Sequence, residues 1–211
     1  MLQNLSIPQE FVLLALDRET NKLKSFFRMH VDLYTIMACI VELSINGNIT
    51  FDDDDTVRIS NSVPTGEKYL DRLLEIMIAE KPKKLKKWVS YFYYRREIYK
   101  MVVESLVDKG ILEIENTEFL FVVPVKKYSD VANLRTHIVE KIRAELLEQG
   151  NVEEHTVALV LFLNIKSMLN DYFSDYEQKT LKQKLEILRK EDIYKKIKTV
   201  EIAIQNIDNG Y

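Results

Sequence analysis

"IVELSINGNITFDDDDTVRIS", residues 40–60, passes from a helical pattern to a hairpin pattern within a single short stretch. Apolar residues recur at helical spacing before and within it, which predicts a helix from about Val31 to Ile45. Asn46-Gly47 ends this helix, because glycine readily adopts the backbone conformation that closes helices. The following residues alternate on either side of four aspartates, so they predict a hairpin with its tip at Asp52 to Asp55.

The same order of elements occurs again further along the chain. A helical pattern ends at Val102 to Val107, Lys109-Gly110 breaks it, and "ILEIENTEFLFVV" from Ile111 predicts a second hairpin. We expect the turn of this hairpin at Glu115-Asn116-Thr117. The two copies are only weakly similar in sequence ("VELSINGNI" and "VESLVDKGIL"), so the repeat is one of architecture.

Helix-start signals mark the first half of the chain. Ser6, Pro8 and Gln9 have the order of an N-cap, a first-turn proline and a capping-box partner, so a first helix is predicted to begin there. After the first hairpin, Pro64-Thr65-Gly66 forms a turn. Thr65 is the expected N-cap of the helix that follows this turn.

The second half of the chain is predicted to be helical almost to its end. Asp130 is expected to cap a helix that Gly150 terminates. A buried helix is predicted over residues 153–172, which include the apolar run VALVLFL. A charged amphipathic tail follows from Tyr176 onward.

The composition supports this helical interpretation. The 211 residues include only 5 Gly and 4 Pro, which disfavours a many-turned β sandwich. Apolar residues make up 46% and charged residues 30%, which is a globular rather than a disordered composition. We therefore predict a mainly α fold: a single helical domain over residues 1–211, built around a central bundle and carrying two short β hairpins.

Several classes of function lack their residue patterns. The only cysteine is Cys39, so no disulfide can form within the chain and a reducing compartment is expected. No apolar run approaches the roughly 18 residues that span a bilayer, and the N-terminus carries no export signal, so we expect a cytoplasmic protein. His30, His137 and His155 lack metal-ligand spacing. No phosphate-binding loop or catalytic constellation occurs, so we predict no metal, no cofactor and no enzymatic activity.

A strongly basic segment, "KPKKLKKWVSYFYYRREIYK" at residues 81–100, interrupts a chain whose formal net charge is −3. It contains six lysines and two arginines against one glutamate. If Pro82 opens a helix, the apolar residues from Leu85 onward fall on one face and the lysines fall on the opposite face. These lysines are Lys83, Lys84, Lys86 and Lys87.

Two interpretations of this basic face remain open. It is either a solvated helix face or a surface for the phosphates of lipid or nucleic acid. Each lysine near an anionic bilayer contributes about 1 kcal/mol, so the lysines alone would hold a protein there only weakly. A second contact with the membrane would therefore be needed.

Two further functions are weighed as alternatives to lipid binding. The order helix, glycine, hairpin is that of the C-terminal half of a winged helix, which would indicate nucleic-acid binding. The predicted hairpin tips carry DDDD and EIENTE, however, and such acidic tips repel phosphate. The other alternative is a protein-interaction scaffold that recognises short basic tails through the acidic remainder of the chain.

Five sequence blocks occur in one order along nearly the whole chain: "FVLLALDRET", "IVELSINGNI", "VPTGEKYLDRLL", Pro82 with "KWV", and "LVDKGIL". In this order they resemble the Golgi phosphoprotein 3 family. The resemblance implies a mostly helical fold and a peripheral membrane protein that recognises phosphatidylinositol 4-phosphate. For eukaryotic members it also implies a link between Golgi glycosyltransferase tails and coatomer.

The headgroup pocket that the resemblance implies uses one tryptophan and three arginines. The corresponding positions in this sequence are Phe27, Ile36, Arg96 and Tyr99. Arginine forks are the usual partners of a phosphate, so the loss of two arginines is expected to weaken headgroup recognition. Arg95 and Lys100 lie nearby in the sequence and are further candidates for the pocket.

The resemblance also implies a projecting hairpin that is used for self-association. The matching segment runs from about Ile111 to Val125, with Phe119 and Phe121 as its candidate contact residues. The chain starts almost at the fold and lacks the basic N-terminal extension of eukaryotic members. A compact relative, such as a prokaryotic one, is therefore expected rather than a Golgi adaptor.

These observations combine in one leading hypothesis, a lipid-binding module. The protein is expected to dock on anionic phospholipid surfaces through Arg95, Arg96 and the lysines of residues 81–87, with Phe27 as an apolar neighbour. It would then be cytoplasmic and peripheral to the membrane.

Overall fold

The computed structural model describes residues 4–16, 31–119, 123–130, 133–148, 150–165, 168–191, 194–195, 197–199 and 201–202. The fold is mainly α with two hairpins, which confirms the predicted class. The α-helices of this part of the chain are α1 (Ile7–Leu14), α2 (Val31–Ile45), α3 (Lys68–Ala79), α4 (Leu85–Tyr93), α5 (Glu97–Asp108), α6 (Leu134–Ile142), α7 (Glu154–Ile165) and α8 (Asp175–Leu188). A π-helical segment (Arg143–Leu147) follows α6, and a 3-10 turn (Met168–Asp171) follows α7. The strands are β1 (Ile49–Phe51), β2 (Val57–Ile59), β3 (Leu112–Phe119) and β4 (Val123–Asp130).

Helices α1, α2 and α7 form the centre of the bundle. Helix α1 packs against both α2 and α7, and every residue of α1 is buried. The ring centroid of Phe11 in α1 lies 6.2 Å from that of Tyr34 in α2 and 5.8 Å from that of Phe162 in α7. The ring of Phe11 in α1 therefore contacts aromatic rings of both α2 and α7. A helix that is apolar all round belongs in such an interior, which explains the VALVLFL run of α7.

The capping signal at Ser6 is confirmed, whereas the N-cap position of α6 is occupied by Asn133 and not by Asp130. The backbone N–H of Ser6 donates to Gln9 Oε1 at 3.1 Å, so the predicted capping partner is in place at the start of α1. The backbone N–H groups of Leu134 and Arg135 both donate to the Asp130 carboxylate at 3.0 Å. Since Asp130 is also the last residue of β4, its carboxylate joins the second hairpin to α6.

The prediction that Thr65 is the N-cap of α3 is wrong. Helix α3 begins at Lys68, and Glu67 occupies the N-cap position. The Thr65 hydroxyl donates instead to the carboxylate of Asp71 at 2.7 Å, and the Thr65 N–H donates to the same oxygen at 2.6 Å. These two hydrogen bonds connect the preceding turn to the side of α3. They are favourable because an ionised carboxylate is a stronger acceptor than a neutral oxygen.

The sequence analysis supposed that Pro82 opens a helix. In the structure, helix α4 begins three residues later, at Leu85. The backbone between them runs alongside the first hairpin. The N–H of Val57 donates to the carbonyl of Lys83 at 3.0 Å, and the N–H of Leu85 donates to the carbonyl of Asp55 at 2.9 Å. These two bonds hold the chain extended beside β2, so the helix starts only after them.

The predicted turn of the second hairpin at Glu115 to Thr117 is also wrong, because these residues lie inside β3. The register of the hairpin pairs Glu115 with Lys127 and Asn116 with Lys126. The backbone pairing therefore continues through these polar residues, and the chain does not turn there. The connection between the strands falls at residues 120–122, outside the described residues.

The chain turns at Gly150, as predicted, and its N–H donates to the Ala144 carbonyl at 3.1 Å. A Cβ at this position would lie only 2.3 Å from that carbonyl oxygen, so only glycine allows this close approach. The helix predicted over residues 153–172 is shorter in the structure and ends at Ile165. The buried residues Met168–Leu169 of that stretch belong to the 3-10 turn, where the chain reverses toward α8.

Candidate functional site

Helix α4 packs on the bundle through the apolar face that its sequence predicts. The buried residues of this face are Leu85, Trp88, Val89 and Phe92. The rings of Trp88 and Phe92 are stacked with their centroids 5.6 Å apart, and α4 lies against α2. Because this face points inward, Lys86 and Lys87 are exposed to solvent.

The structure divides the four lysines of the predicted patch into two pairs. Lys83 Nζ lies 2.8 Å from the carboxylate of Glu80, and this contact lowers the pKa of Glu80. Lys84 Nζ lies 3.3 Å from the carboxylate of Asp54 at the tip of the first hairpin. The other two lysines of the patch form no ion pair within the described part of the chain. Their charges are therefore the ones available to an anionic partner.

Arg95 is exposed but held in a defined position. Its guanidinium carbon lies 3.7 Å from the centroid of the Tyr91 ring, and its Nη1 donates to the Tyr91 carbonyl at 3.2 Å. Stacking on an aromatic face orients the planar guanidinium without neutralising it. No carboxylate among the described residues pairs with Arg95.

Arg96 stands between α4 and α5 and forms one ion pair. It has a left-handed backbone (φ 53°) at the N-cap of α5, and its Nε lies 3.5 Å from Asp32 Oδ2. The Arg96 side chain is 68% exposed, whereas that of Asp32 is 17% exposed. Burial raises the pKa of Asp32, although the charges of Arg96 and Lys100 act in the opposite direction. A phosphate that approaches from solvent would therefore compete with the partly buried carboxylate of Asp32 for the guanidinium of Arg96.

The remaining positions of the implied headgroup pocket contribute no charge. Ile36 lies in α2 and is fully buried, so it cannot reach a ligand at the surface. Tyr99 is half-buried on α5, while Lys100 is exposed about one turn after Arg96. Phe27 lies outside the described residues. The cations at the junction of α4 and α5 are thus Arg95, Arg96 and Lys100, while Lys86 and Lys87 lie in the first turn of α4.

The candidate residues for self-association belong to the second hairpin. Phe119 is the last residue of β3, and Phe121 lies in the connection outside the described residues. Their role in self-association stays a prediction.

A second site, which the sequence analysis missed, lies where α1, α2 and α7 meet. His155 Nε2 is 2.7 Å from Glu10 Oε2, and His155 Nδ1 is 4.0 Å from Glu42 Oε2. Glu42 also accepts the backbone N–H of Ile7 at 2.8 Å. The three side chains are 19%, 8% and 12% exposed for His155, Glu10 and Glu42. We refer to Glu10, Glu42 and His155 as the Glu-His cluster.

The Glu-His cluster binds protons more tightly than its groups would in water. Burial raises the pKa of Glu42, and the N–H of Ile7 and the charge of His155 offset this only in part. Burial on its own would lower the pKa of His155. The hydrogen bond and charge of Glu10, together with the charge of Glu42, nevertheless raise the pKa of His155 above its usual range. The cluster therefore keeps a proton at a pH at which a free histidine loses it.

The Glu-His cluster lines a cleft of about 630 Å³. Further carboxylates of this cleft come from Glu67 and Glu153, and Lys141 lies 2.9 Å from the Glu153 carboxylate. His137 lies at an exposed position on the same cleft. The lining is therefore predominantly acidic, in contrast to the basic surface at the end of α4.

The sequence contains one signal that could have revealed the Glu-His cluster. Glu10 is the charged residue of helix α1, and a charged residue in a fully buried helix needs a partner. The identity of that partner was not accessible, because His155 lies 145 residues away in the sequence.

The chain matches the Golgi phosphoprotein 3 (GPP34) family over residues 7–205. The chain belongs to this family. A relative, vacuolar protein sorting-associated protein 74 of Eremothecium gossypii, is 26% identical to this Golgi phosphoprotein 3 family member over 151 residues. The aligned part amounts to 61% of this chain and 45% of the relative, so the chain spans less than half of that protein's length.

The family match confirms the resemblance that was drawn from short motifs. All five sequence blocks fall within the matched range. Both sites of this Golgi phosphoprotein 3 family member, at the end of α4 and at the Glu-His cluster, also lie within it. In the described part of the chain, no helix has the length and apolar character needed to cross a bilayer.

The Glu-His cluster predicts that stability falls as the pH rises. Because the pKa of His155 is higher in the folded than in the unfolded chain, its contribution is full below its ordinary value of 6.5 and is lost as the pH rises through the folded value. The raised pKa of Glu42 acts in the same direction at lower pH. We expect the free energy of unfolding in urea to decrease as the pH rises above about 6.5.

The substitution His155→Gln is expected to flatten this pH dependence, because it removes the titrating group. His137→Gln serves as the control, since His137 is exposed and lies outside the Glu-His cluster. Unfolding can be followed by the fluorescence of the buried Trp88. An unchanged slope in the His155 variant would contradict the assignment.

Proposed function

We propose that this protein is a non-enzymatic module that binds the cytoplasmic face of anionic membranes through the junction of α4 and α5. The proposal depends on one observation, a set of exposed cations along α4 and around its junction with α5 that form no ion pair within the described residues. These cations are Lys86, Lys87, Arg95 and Lys100. Arg96 adds a further charge that it shares with Asp32. Membership in the Golgi phosphoprotein 3 family supports the same proposal.

The expected binding is electrostatic and moderate in strength. A Lys or Arg near an anionic bilayer contributes about 1 kcal/mol, and this contribution decays within a Debye length of roughly 8 to 10 Å. Four unpaired cations then hold the protein at low ionic strength and release it as salt is added. The paired residues Lys83 and Lys84 contribute less, because carboxylates already lie beside them.

We further propose that charge density, more than headgroup identity, decides which membranes are bound. Phosphatidylinositol 4-phosphate offers a dense negative charge, and Arg96 is the arginine best placed to face it. The implied pocket positions at Ile36 and Tyr99 carry no charge, and Ile36 is fully buried. The preference for this headgroup over other anionic lipids is therefore expected to be small.

The double substitution Lys86→Ala with Lys87→Ala is expected to weaken binding to phosphatidylserine vesicles about tenfold at low salt, since it removes two unpaired charges. Vesicle co-sedimentation at low and high ionic strength measures this loss. Lys179→Ala with Lys182→Ala is the matched control, because both lysines are exposed on α8 and the change in net charge is the same.

Two results would contradict the proposed membrane contact. One is equal partition of the unmodified protein between neutral and anionic vesicles. The other is an equal loss of binding in both double variants, which would show that only the total charge of the protein matters and not the surface at the end of α4.

The substitution Asp32→Asn is expected to strengthen binding to anionic vesicles several-fold, because it releases Arg96 from its carboxylate partner. Asp108→Asn, at an exposed position on α5, provides the same change in net charge away from Arg96. The two variants can be compared on vesicles with and without phosphatidylinositol 4-phosphate. If both bind equally, the Asp32 carboxylate does not control access to Arg96.

Capture of a short basic protein segment is a second candidate function, and the acidic cleft favours it. The lining contains four carboxylates against Lys141 and His155, whose pKa is raised. Its volume of about 630 Å³ is within the range of roughly 300 to 1,000 Å³ that is typical of ligand pockets. A lysine or arginine side chain from a partner could enter this cleft and approach the Glu-His cluster.

A fluorescent lysine-rich decapeptide tests this second function. Glu42→Gln is expected to lower its affinity several-fold, because a buried carboxylate is neutralised while its hydrogen bond to the Ile7 N–H is kept. Glu104→Gln, at an exposed position on α5, is the control and should leave the affinity unchanged. Loss of peptide binding in the Lys86 and Lys87 double variant would contradict a site in the cleft.

Nucleic-acid binding remains a weaker alternative. Asp54, at the tip of the first hairpin, lies directly beside Lys84 and would repel a nucleic-acid backbone from the lysines. Self-association through Phe119 and Phe121 of the second hairpin is compatible with either leading function.

A further inference from the structure

Tyr94 is a strongly exposed aromatic residue next to the cations of the proposed membrane surface. Its side chain is 79% exposed, and its backbone continues the helical conformation at the C-cap of α4. The Tyr94 ring lies edge-to-face against that of Tyr93, with the centroids 5.6 Å apart. The ring is thus supported on one side while most of its surface faces solvent, and the proposed function assigns it no role.

The helical register places Tyr94 in line with Lys87 and with Tyr91, on whose ring Arg95 stacks. Lys87, Tyr91 and Tyr94 are spaced at i, i+4 and i+7, so they lie within about 60° of one another around the helix and span roughly 10 Å along it. Arg95 covers the Tyr91 ring with its guanidinium at 3.7 Å. We call Lys87, Tyr91, Tyr94 and Arg95 the aromatic-cation strip.

An anionic bilayer is the partner whose chemistry matches the whole aromatic-cation strip. Lys87 and Arg95 form no ion pair within the described residues, so their charges are available to an anionic surface. Tyrosine has an apolar ring and a polar tip, and it is enriched where the hydrocarbon of a membrane meets its headgroups. A phospholipid surface offers phosphates and an apolar layer within a few ångströms of each other, whereas a purely polyanionic partner offers only the first.

We propose that Tyr94 inserts its ring into the interfacial layer of an anionic bilayer while Lys87 and Arg95 contact lipid phosphates beside it. This inference rests on the proposed membrane function and adds an apolar anchor to it. Cations alone bind weakly and reversibly, so stable attachment needs a second kind of contact. Tyr94 supplies this contact and directs the C-terminal end of α4 toward the membrane.

The substitution Tyr94→Ser is expected to lower the partition of the protein onto mixed phosphatidylserine and phosphatidylcholine vesicles about tenfold. Tyr176→Ser is the matched control, because Tyr176 is 80% exposed but lies on α8, and its loss should change nothing. The ratio between the Tyr94 variant and the unmodified protein should persist as salt is added, since insertion of the ring is apolar. The loss caused by the Lys86 and Lys87 double variant should instead diminish with salt.

A fluorescence measurement reports insertion directly. Tyr94→Trp is expected to show a blue shift of the added tryptophan when phosphatidylserine vesicles are supplied, and Tyr176→Trp should show none. Trp88 is buried, so its emission provides a constant background in both variants.

The outcomes separate this inference from the function on which it rests. If the unmodified protein binds anionic vesicles and Tyr94→Ser binds equally well, the anchor is overturned and the electrostatic function stands. A blue shift absent from vesicle-bound Tyr94→Trp also overturns the anchor, because the ring then stays outside the lipid. If the unmodified protein binds no anionic vesicles at all, both the function and the anchor fail.

Discussion

Burial of the apolar face of α4 is the constraint on which the proposed surface depends. Trp88 and Phe92 stack on each other beneath this helix, and their burial fixes its rotation about its own axis. Backbone bonds between the first hairpin and residues 83–85 fix the point at which the helix begins. A shift of the sequence by one residue along this helix would turn every side chain by about 100°. Lys87 and the exposed ring of Tyr94 share one side of α4 because both restraints act together.

The cations of this surface differ in how available their charge is to an external anion, because some of them already form ion pairs. Exposed pairs such as those of Lys83 and Lys84 are screened by solvent, so they balance charge without locking the side chains. The pair of Arg96 differs, because Asp32 is largely buried and has few other partners. The charges of Lys86 and Lys87 on α4 are therefore more available to an anion than the charge of Arg96, which is paired with Asp32 at the start of α5.

The sequence predicted the local features well and failed where distant segments meet. The bounds of α2, the first hairpin and the buried face of α4 follow from spacing and turn residues within a few positions. The start of α4 was missed because bonds to the first hairpin override the preference of Pro82 for a first turn. The turn of the second hairpin was misplaced because pairing with Lys126 and Lys127 extends β3 through polar residues. The contact between Glu10 and His155 joins residues 145 positions apart in the sequence, and no local pattern encodes it.

The Asp130 carboxylate has a mechanical consequence for the acidic cleft. The same group ends β4, accepts the N–H groups of Leu134 and Arg135 and lies 3.3 Å from the Arg135 Nε. Its side chain is only 1% exposed, so water cannot readily replace these contacts. Since Leu134 also borders the cleft, the Asp130 carboxylate couples the end of the second hairpin to the rim of the cleft.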